Sequence, residues 1–510
     1  MKSIRVRNLR SFYDSGDIQL NKLNILLGEN SSGKSSFIRI FPMLKNTVNH
    51  ELRGPISWFD DSYDFGDFAV ALNRKASVET DTIDFHFTWK PLCKKTSAEC
   101  ADCPFVNLTN LGIFNASDYS VLLRIGSHHG KSFYKEVRLN TPQNSFSILD
   151  VGQEELTLLI NEQQFAFPRV KWNYSVKGIL PDLEYIEQNS LGRQDRINSI
   201  LNQLIPDILD AKIKASDFMK LFSCKSLDFN AWYKHATSKR HSIGKTLSSV
   251  LKKESDIARE LYEIIILNNV EYALRYIDRY ISTTFRETNY ITPIRYSIGR
   301  YIRNKYLSVD TIDPAGTNVM EYILSLDDDK FQEYSNFLRR TIGISASISK
   351  TDSPNKEILI TDTIGEVYNI VDMGYGLTQI LPIATILWDK AHQTTKCEFA
   401  NIISIEQPEV HLHPKMQGNV ATLLVEALQL SKKKKGNLKI IIETHSSIII
   451  NRIGRYVRNG TKNPSTKEPT ISSDDICINL FNKNDGITTI KQTKYDENGR
   501  ILEWPIGFLD

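Results

Sequence analysis

Eight consecutive residues, Gly28-Glu29-Asn30-Ser31-Ser32-Gly33-Lys34-Ser35, carry the strongest chemistry in the chain. They match G-x-x-x-x-G-K-[ST] at every fixed position. Glycines let the backbone curl so that its N–H groups face a phosphate, and a helix starting at Lys34 adds partial positive charge. In such a loop the lysine, here Lys34, reaches the β- and γ-phosphates, and Ser35 offers a hydroxyl to Mg²⁺. Gly28, Asn30, Ser32, Gly33, Lys34, Ser35 and Ser36 are therefore the expected nucleotide-binding residues, with nucleotide phosphates and Mg²⁺ as ligands. A chance glycine-rich turn is the alternative, but an apolar strand pattern precedes this loop and an amphipathic helix pattern follows it.

A phosphate loop needs an acid at the end of a neighbouring strand to hold Mg²⁺ through water. Ile402-Ile403-Ser404-Ile405-Glu406-Gln407-Pro408-Glu409 supplies an apolar strand ending in Glu406. A second apolar run, residues 438–442, leads into Glu443-Thr444-His445-Ser446. A histidine at a strand end can sense a γ-phosphate; a purely structural His445 is the alternative.

Cys93, Cys100 and Cys103 form the one dense cysteine cluster. Three thiolates that include a C-x-x-C pair can hold Zn²⁺ with a fourth ligand, for which His86 lies nearby in sequence. Three free thiols in a loop is the competing reading. Cys224, Cys397 and Cys477 are isolated and expected to be free and buried. Lys432 to Lys435 read as a solvated loop before a core strand. Arg295, Arg300, Arg303 and Lys305 interleave with Tyr296, Tyr301 and Tyr306. That mixture suits DNA contact, through phosphates and bases, or a packed helix with its charges outward.

The elements that must position these groups follow from periodicity. Residues 2–6 and 23–27 read as strands, and a helix pattern runs through Phe37, Ile38, Phe41 and Leu44, with Pro42 expected to kink or end it. Alternation at 82–89 and 132–139 predicts a mostly antiparallel β section. Ile197, Ile200, Leu201 and Leu204, then Ile257, Leu261, Ile264 and Ile265, repeat as amphipathic helices. The continuous apolar runs 399–405 and 438–442 predict strands buried on both faces of a parallel sheet.

Composition sets outer limits. The 510 residues carry 63 Lys+Arg and 60 Asp+Glu, a formal charge of +3, with 41% hydrophobic and 24% charged residues. Dominant disorder is excluded. No apolar run approaches the roughly 18 residues of a membrane span, so no membrane partner is expected. The charged N-terminus lacks the apolar stretch of a signal peptide, which predicts a cytoplasmic protein. Six cysteines do not make a disulfide scaffold.

The phosphate loop, the Glu406 run and the Glu443-Thr444-His445-Ser446 run, in that order, resemble the ATP-binding cassette ATPases. More narrowly they resemble the bacterial group related to RecF, the structural-maintenance proteins and the old-type nucleases. Asp372-Met373-Gly374-Tyr375-Gly376-Leu377-Thr378 resembles that group's degenerate signature. Tyr290-Ile291-Thr292-Pro293-Ile294-Arg295 and the ending Trp504-Pro505-Ile506-Gly507-Phe508 are also similar to the group, the ending to a small C-terminal domain of unknown function.

The resemblance implies an α/β fold: a cassette-type P-loop ATPase head with a β subdomain and a mainly helical insertion. The expected divisions are 1–175 for the first half of the head, 176–340 for the helical insertion, 341–460 for the second half and 461–510 for a small C-terminal region. It also implies that Glu406 coordinates Mg²⁺ and that His445 is the switch histidine. By the same resemblance Leu412-His413 contacts an opposite subunit, and Gly374, Gly376 and Thr378 cap ATP bound to that subunit. No glutamine loop is placed; residues 65–68 lie in the right region but lack the glutamine. Gln407 stands where most cassette ATPases carry the catalytic glutamate. An amide orients water but cannot take its proton, so hydrolysis is slow or Glu409, His411 or His413 substitutes.

Proteins of this layout often act in bacterial anti-phage defence, and Septu-type and retron-associated ATPases resemble it. That likeness implies a sensor or regulator working with a separate HNH-type nuclease, and with a reverse transcriptase and its DNA product. Only 65 residues follow His445, fewer than an old-type nuclease domain needs, so the nuclease is expected in another chain. An ATP-gated scaffold restraining a toxic partner, a DNA-repair ATPase and a transporter subunit are the alternatives.

Overall fold

The computed structural model describes residues 1–78, 81–89, 118–140, 145–149, 156–167, 170–173, 178–185, 229–238, 244, 247–248, 251–296, 298–303, 309, 311–349, 355–393, 400–462 and 468–504. Two compact units are present. The first comprises Met1–Arg5, Thr47–Ser57 and Ala76–Thr283; the second comprises Val6–Asn46, Trp58–Lys75 and Thr284–Asp510.

The first unit contains an antiparallel sheet. Its strands run in the order Gln163–Phe167, Leu156–Ile160, Ser145–Leu149, Lys131–Asn140, Tyr119–His128 and Ile83–Trp89. Period-two patterning explains it: Ile83, Phe85, Phe87 and Trp89 are all fully buried on one face. Trp89 stacks on Tyr119 with ring centroids 5.9 Å apart and meets Tyr280 edge-on at 6.2 Å. Tyr280 belongs to the 31-residue helix Asp256–Arg286, which contains Ile257, Leu261, Ile264 and Ile265 as their spacing predicts. The expected helix around residues 197–204 lies outside the described residues. So do Cys93, Cys100 and Cys103, as well as Cys224 and Cys397. Among the described residues no group of three His, Cys, Asp or Glu side chains could hold a metal ion. His86 lies within the strand Ile83–Trp89.

The second unit is built on a six-stranded sheet. Its order is Asn289–Ile291, Asn401–Glu406, Leu438–Glu443, Leu23–Gly28, Ile476–Asn484 and Ile487–Thr493. Every neighbouring pair is parallel except the last, an antiparallel hairpin. Strands Leu23–Gly28 and Asn401–Glu406 are buried at every residue, as their mostly apolar sequences predict, with Asn24 and Ser404 as buried polar exceptions. Helices Tyr375–His392, Pro414–Lys433 and Ser447–Lys462 contribute Ile380, Leu424 and Ile453 to the core that contains Leu23, Ile405 and Ile442. Among the described residues no helix is long and apolar enough to cross a membrane.

Three local expectations are corrected. The helix after the phosphate loop does break, but at Arg39: Lys34–Ile38 ends there and Ile40–Asn49 begins. Pro42 falls in the first turn of the second helix, where its missing N–H costs little. Lys432 and Lys433 are not a loop; they close the helix Pro414–Lys433, where cations favour the negative end of the dipole. Nor are the described residues 295–296 and 298–303 helical; Lys305 and Tyr306 of the same run lie outside the described residues. Ile302–Arg303 is a short strand paired with Asn355–Lys356.

Candidate functional site

The strand Leu23–Gly28 delivers the chain to the phosphate loop in a conformation that only small residues permit. Gly28 has φ 150°, and a Cβ there would lie 2.3 Å from the carbonyl oxygen of Phe481. Gly33 has φ 101°, and a Cβ would meet Ser11 Oγ at 2.8 Å and Thr488 Oγ1 at 3.0 Å. Ser31 also takes the left-handed region, at φ 61°. Asn30 is exposed, Ser32 is buried, and Ser35 and Ser36 are half-buried.

Lys34 folds back into this loop and is 2% exposed. Its ammonium donates to the carbonyls of Gly28 at 2.9 Å and Glu29 at 2.7 Å. It also lies 4.0 Å from Glu443 Oε1. Burial lowers its pKa, and the carboxylates of Glu443, Glu29 and Glu409 partly offset that.

Two strand-end carboxylates share one rung of the sheet, because Glu406 and Glu443 are paired in the parallel register. Their partners differ. Arg39 donates Nε and a terminal nitrogen to Glu406 at 2.8 and 2.9 Å, a bidentate pair, and Tyr290 adds its hydroxyl at 2.7 Å. Glu443 instead receives the Ser35 hydroxyl, with Oγ 2.9 and 3.0 Å from its two oxygens. Burial, helped by the neighbouring Glu406 charge, pushes the Glu443 carboxyl up to about 7; Lys34, the Ser35 hydroxyl and Arg39 pull it part of the way back.

Beyond the sheet, Gln407 turns the chain with φ 41°, and its N–H donates to the carbonyl of Glu443 at 2.8 Å. Glu409 accepts from Thr444 Oγ1 at 2.8 Å and from the His445 backbone N–H at 2.7 Å, and burial raises its pKa. His445 is half-buried, and its pKa is lowered by burial and then by Lys34. His411 and His413 are both exposed. The ring of His411 packs edge-on against Tyr375 at 5.4 Å. His413 Nδ1 accepts from Lys415 N at 3.4 Å, capping the helix Pro414–Lys433.

Gly374, Gly376 and Thr378 lie at the entry to the helix Tyr375–His392. Gly374 is its N-cap at φ 86° and ψ 163°, a region essentially reserved for glycine. Gly376 lies against the His411–Leu412 turn: a Cβ there would be 3.7 Å from the His411 carbonyl. Thr378 is buried and donates its hydroxyl to the Tyr375 carbonyl at 2.7 Å. Arg300 pairs with Asp372 just before the helix.

Sequence reasoning missed several members of this cluster. Arg39 lies in no motif, Tyr290 belongs to a family-like segment that assigns it no role, and Glu443 was read only as part of a polar run. Arg295, read as a surface cation, is 2% exposed. Its guanidinium lies 3.5 Å from the Gln407 carbonyl, and burial lowers its pKa to about 10. The one signal for Tyr290 and Arg295 was that both belong to the family-like segment Tyr290-Ile291-Thr292-Pro293-Ile294-Arg295.

Residues 1–450 match the model of the AAA ATPase domain family, AAA_15. Residues 471–510 match a protein family of unknown function, DUF3696. The chain is 22% identical over 364 residues to Endonuclease GajA of Bacillus cereus strain HuB5-5, which covers 61% of this chain and 49% of that protein. It thus spans about half the length of that relative. Among solved structures, the Smc head domain bound to the C-terminal domain of ScpA from Pyrococcus furiosus is 12% identical with a TM-score of 0.35, covering 97% of this chain and 96% of that one. The SMC head domain of Thermotoga maritima is 8% identical at 0.35, covering 96% and 97%. Likenesses at such scores bear on neither activity nor assembly. The family match covers most of the length, and the chain belongs to the AAA ATPase domain family.

Proposed function

We propose that this chain binds ATP with Mg²⁺ at the Lys34–Ser35 loop, hydrolyses it slowly, and uses the bound nucleotide to control its association with a second copy and with an effector. The observation that carries this reading is the junction of Lys34, Ser35 and Glu443. A cation is folded onto two loop carbonyls, beside a hydroxyl held by a buried carboxylate.

The donor set suits a hard cation, because hydroxyl and carboxylate oxygens prefer Mg²⁺ and nucleotide phosphates complete its shell. Ser35 and Glu443 would hold the ion, with Glu406 one strand away. When bound, Mg²⁺ neutralises charge on the phosphates. Lys34 exchanges the carbonyls of Gly28 and Glu29 for phosphate oxygens.

Slow turnover follows from the residues near the strand ends. Gln407 orients water without accepting a proton. Both carboxylate oxygens of Glu409 are already hydrogen-bonded. Gly374, Gly376 and Thr378 would cap nucleotide bound to a second copy, which makes assembly depend on ATP. The likeness to Endonuclease GajA supports a role linked to nuclease action, and the motif resemblance given above suggests a sensor or regulator in bacterial anti-phage defence. An HNH-type nuclease, a reverse transcriptase and its DNA product are the partner classes to examine first.

A turnover assay beside a binding assay tests this. Wild type should bind ATP·Mg²⁺ and turn over well below the roughly 10 s⁻¹ typical of enzymes. Gln407→Glu should raise the rate. Fast wild-type turnover that Gln407→Glu does not change would defeat the slow-switch reading. Gln407 and the engaged Glu409 also favour a second reading, an ATP-gated scaffold that never hydrolyses; tight binding with no phosphate release would select it.

A further inference from the structure

The C-terminal hairpin, Ile476–Asn484 with Ile487–Thr493, lies outside the nucleotide motif, yet it holds the phosphate loop from behind. Thr488 is fully buried. Its Oγ1 lies 2.7 Å from the Ser32 carbonyl oxygen and 2.7 Å from Ser11 Oγ. A carbonyl can only accept, so the single Thr488 proton goes to Ser32 and the Ser11 hydroxyl donates to Thr488. The Thr488 N–H donates to the Ser11 carbonyl at 2.8 Å, which fixes the hairpin to the same segment. One strand away, Lys483 donates its ammonium to the Ser31 carbonyl at 3.2 Å.

These contacts decide which way two peptide planes face. In a trans peptide the C=O and the following N–H point to opposite sides. The Ser32 carbonyl shares its plane with the Gly33 N–H, and the Ser31 carbonyl shares its plane with the Ser32 N–H. Tying both carbonyls to the hairpin turns both amides away from it, into the hollow of the loop. Those are amides that a phosphate-binding nest presents to its anion. The Ser32 N–H reaches the Glu29 carbonyl only at 3.3 Å, a long bond that a phosphate oxygen can replace. The loop also needs restraint, because Ser31 and Gly33 both have positive φ.

We infer that the C-terminal hairpin sets the phosphate loop for binding, with Thr488 as the positioning residue for the Ser32 and Gly33 amides. This gives the hairpin a role in nucleotide affinity, and it rests on the ATP-binding reading above. Without the Thr488 hydroxyl, the Ser32 carbonyl is buried without its donor and the peptide is free to rotate.

The test uses the full chain with ADP as the probe. Thr488→Val keeps the shape and removes the hydroxyl; Thr488→Ser keeps the hydroxyl. Thr488→Val should weaken ADP binding about tenfold, and Thr488→Ser should stay within about twofold of wild type. Hydrogen exchange adds a readout that simple packing would not move. ADP should protect residues 28–36 in wild type and Thr488→Ser, and much less in Thr488→Val. Lys483→Ala, at an exposed position, should weaken ADP about twofold to threefold with an unchanged melting temperature, which keeps the test open if Thr488→Val fails to fold. Wild-type affinity and protection in Thr488→Val overturn the inference. So does a Thr488→Ser variant as weak as Thr488→Val, or unchanged affinity in Lys483→Ala. Failure of the wild type to bind any nucleotide overturns the ATP-binding reading itself, and the inference with it.

Discussion

Glu406 and Glu443 stand side by side on neighbouring parallel strands, and their carboxylates have been given different work. Glu406 is closed off by Arg39 and Tyr290, whereas Glu443 faces the Ser35 hydroxyl. A strand-end acid in the Glu406 position is the one a motif search finds. The neighbouring acid is the one already in contact with the loop.

Glu443→Gln keeps a hydrogen bond to Ser35 and removes the charge. It should abolish most of the Mg²⁺-dependent gain in ADP affinity, while affinity in EDTA stays near wild type or rises as the negative charge beside the phosphates disappears. Titration of ADP with and without Mg²⁺ checks this. An unchanged Mg²⁺-dependent gain would remove Glu443 from the metal site.

The same carboxylate predicts a pH effect on stability without metal. Its pKa is raised from 4.5 to about 7, so the folded state binds this proton more tightly than the unfolded chain. The stabilisation is therefore fully present below 4.5 and lost as pH rises to about 7. Melting of wild type and Glu443→Gln in EDTA should show the wild type gaining on the variant as pH is lowered from 8 to 5. A constant difference would mean that Glu443 titrates normally.

Much of the second unit was legible because its physics is local. Strands Leu23–Gly28, Asn401–Glu406 and Leu438–Glu443 show as mostly apolar runs, and the phosphate loop has a fixed spacing. The surroundings of the site were not legible. Arg39 meets Glu406 across 367 positions, and Tyr290 meets it across 116. No periodicity encodes such pairings. Arg295 looks like a surface cation in a basic and aromatic run, but chain topology buries it. Thr488 is an ordinary strand residue until the sheet order places it behind Ser32.

Association should depend on nucleotide and on the entry to the helix Tyr375–His392. Gly376 has room for a Cβ, with its nearest neighbours at 3.7 and 3.8 Å. Gly376→Trp should therefore leave the melting temperature of the isolated chain within a few degrees of wild type. It should block ATP-dependent assembly seen by light scattering. Equal assembly in both proteins, or wild-type activity from an ATP-bound monomer, would defeat the capping role of this segment.

The central claim is that Lys34 and its loop form a nucleotide site, and equilibrium binding of ATP with Mg²⁺ to wild type and Lys34→Ala tests it most directly. Wild type should show saturable binding at one site per chain. Lys34→Ala, which loses the cation that the Gly28 and Glu29 carbonyls hold in place, should bind at least about tenfold more weakly while still melting cooperatively. Equal affinity in the two proteins, or no binding by the wild type, would contradict the account.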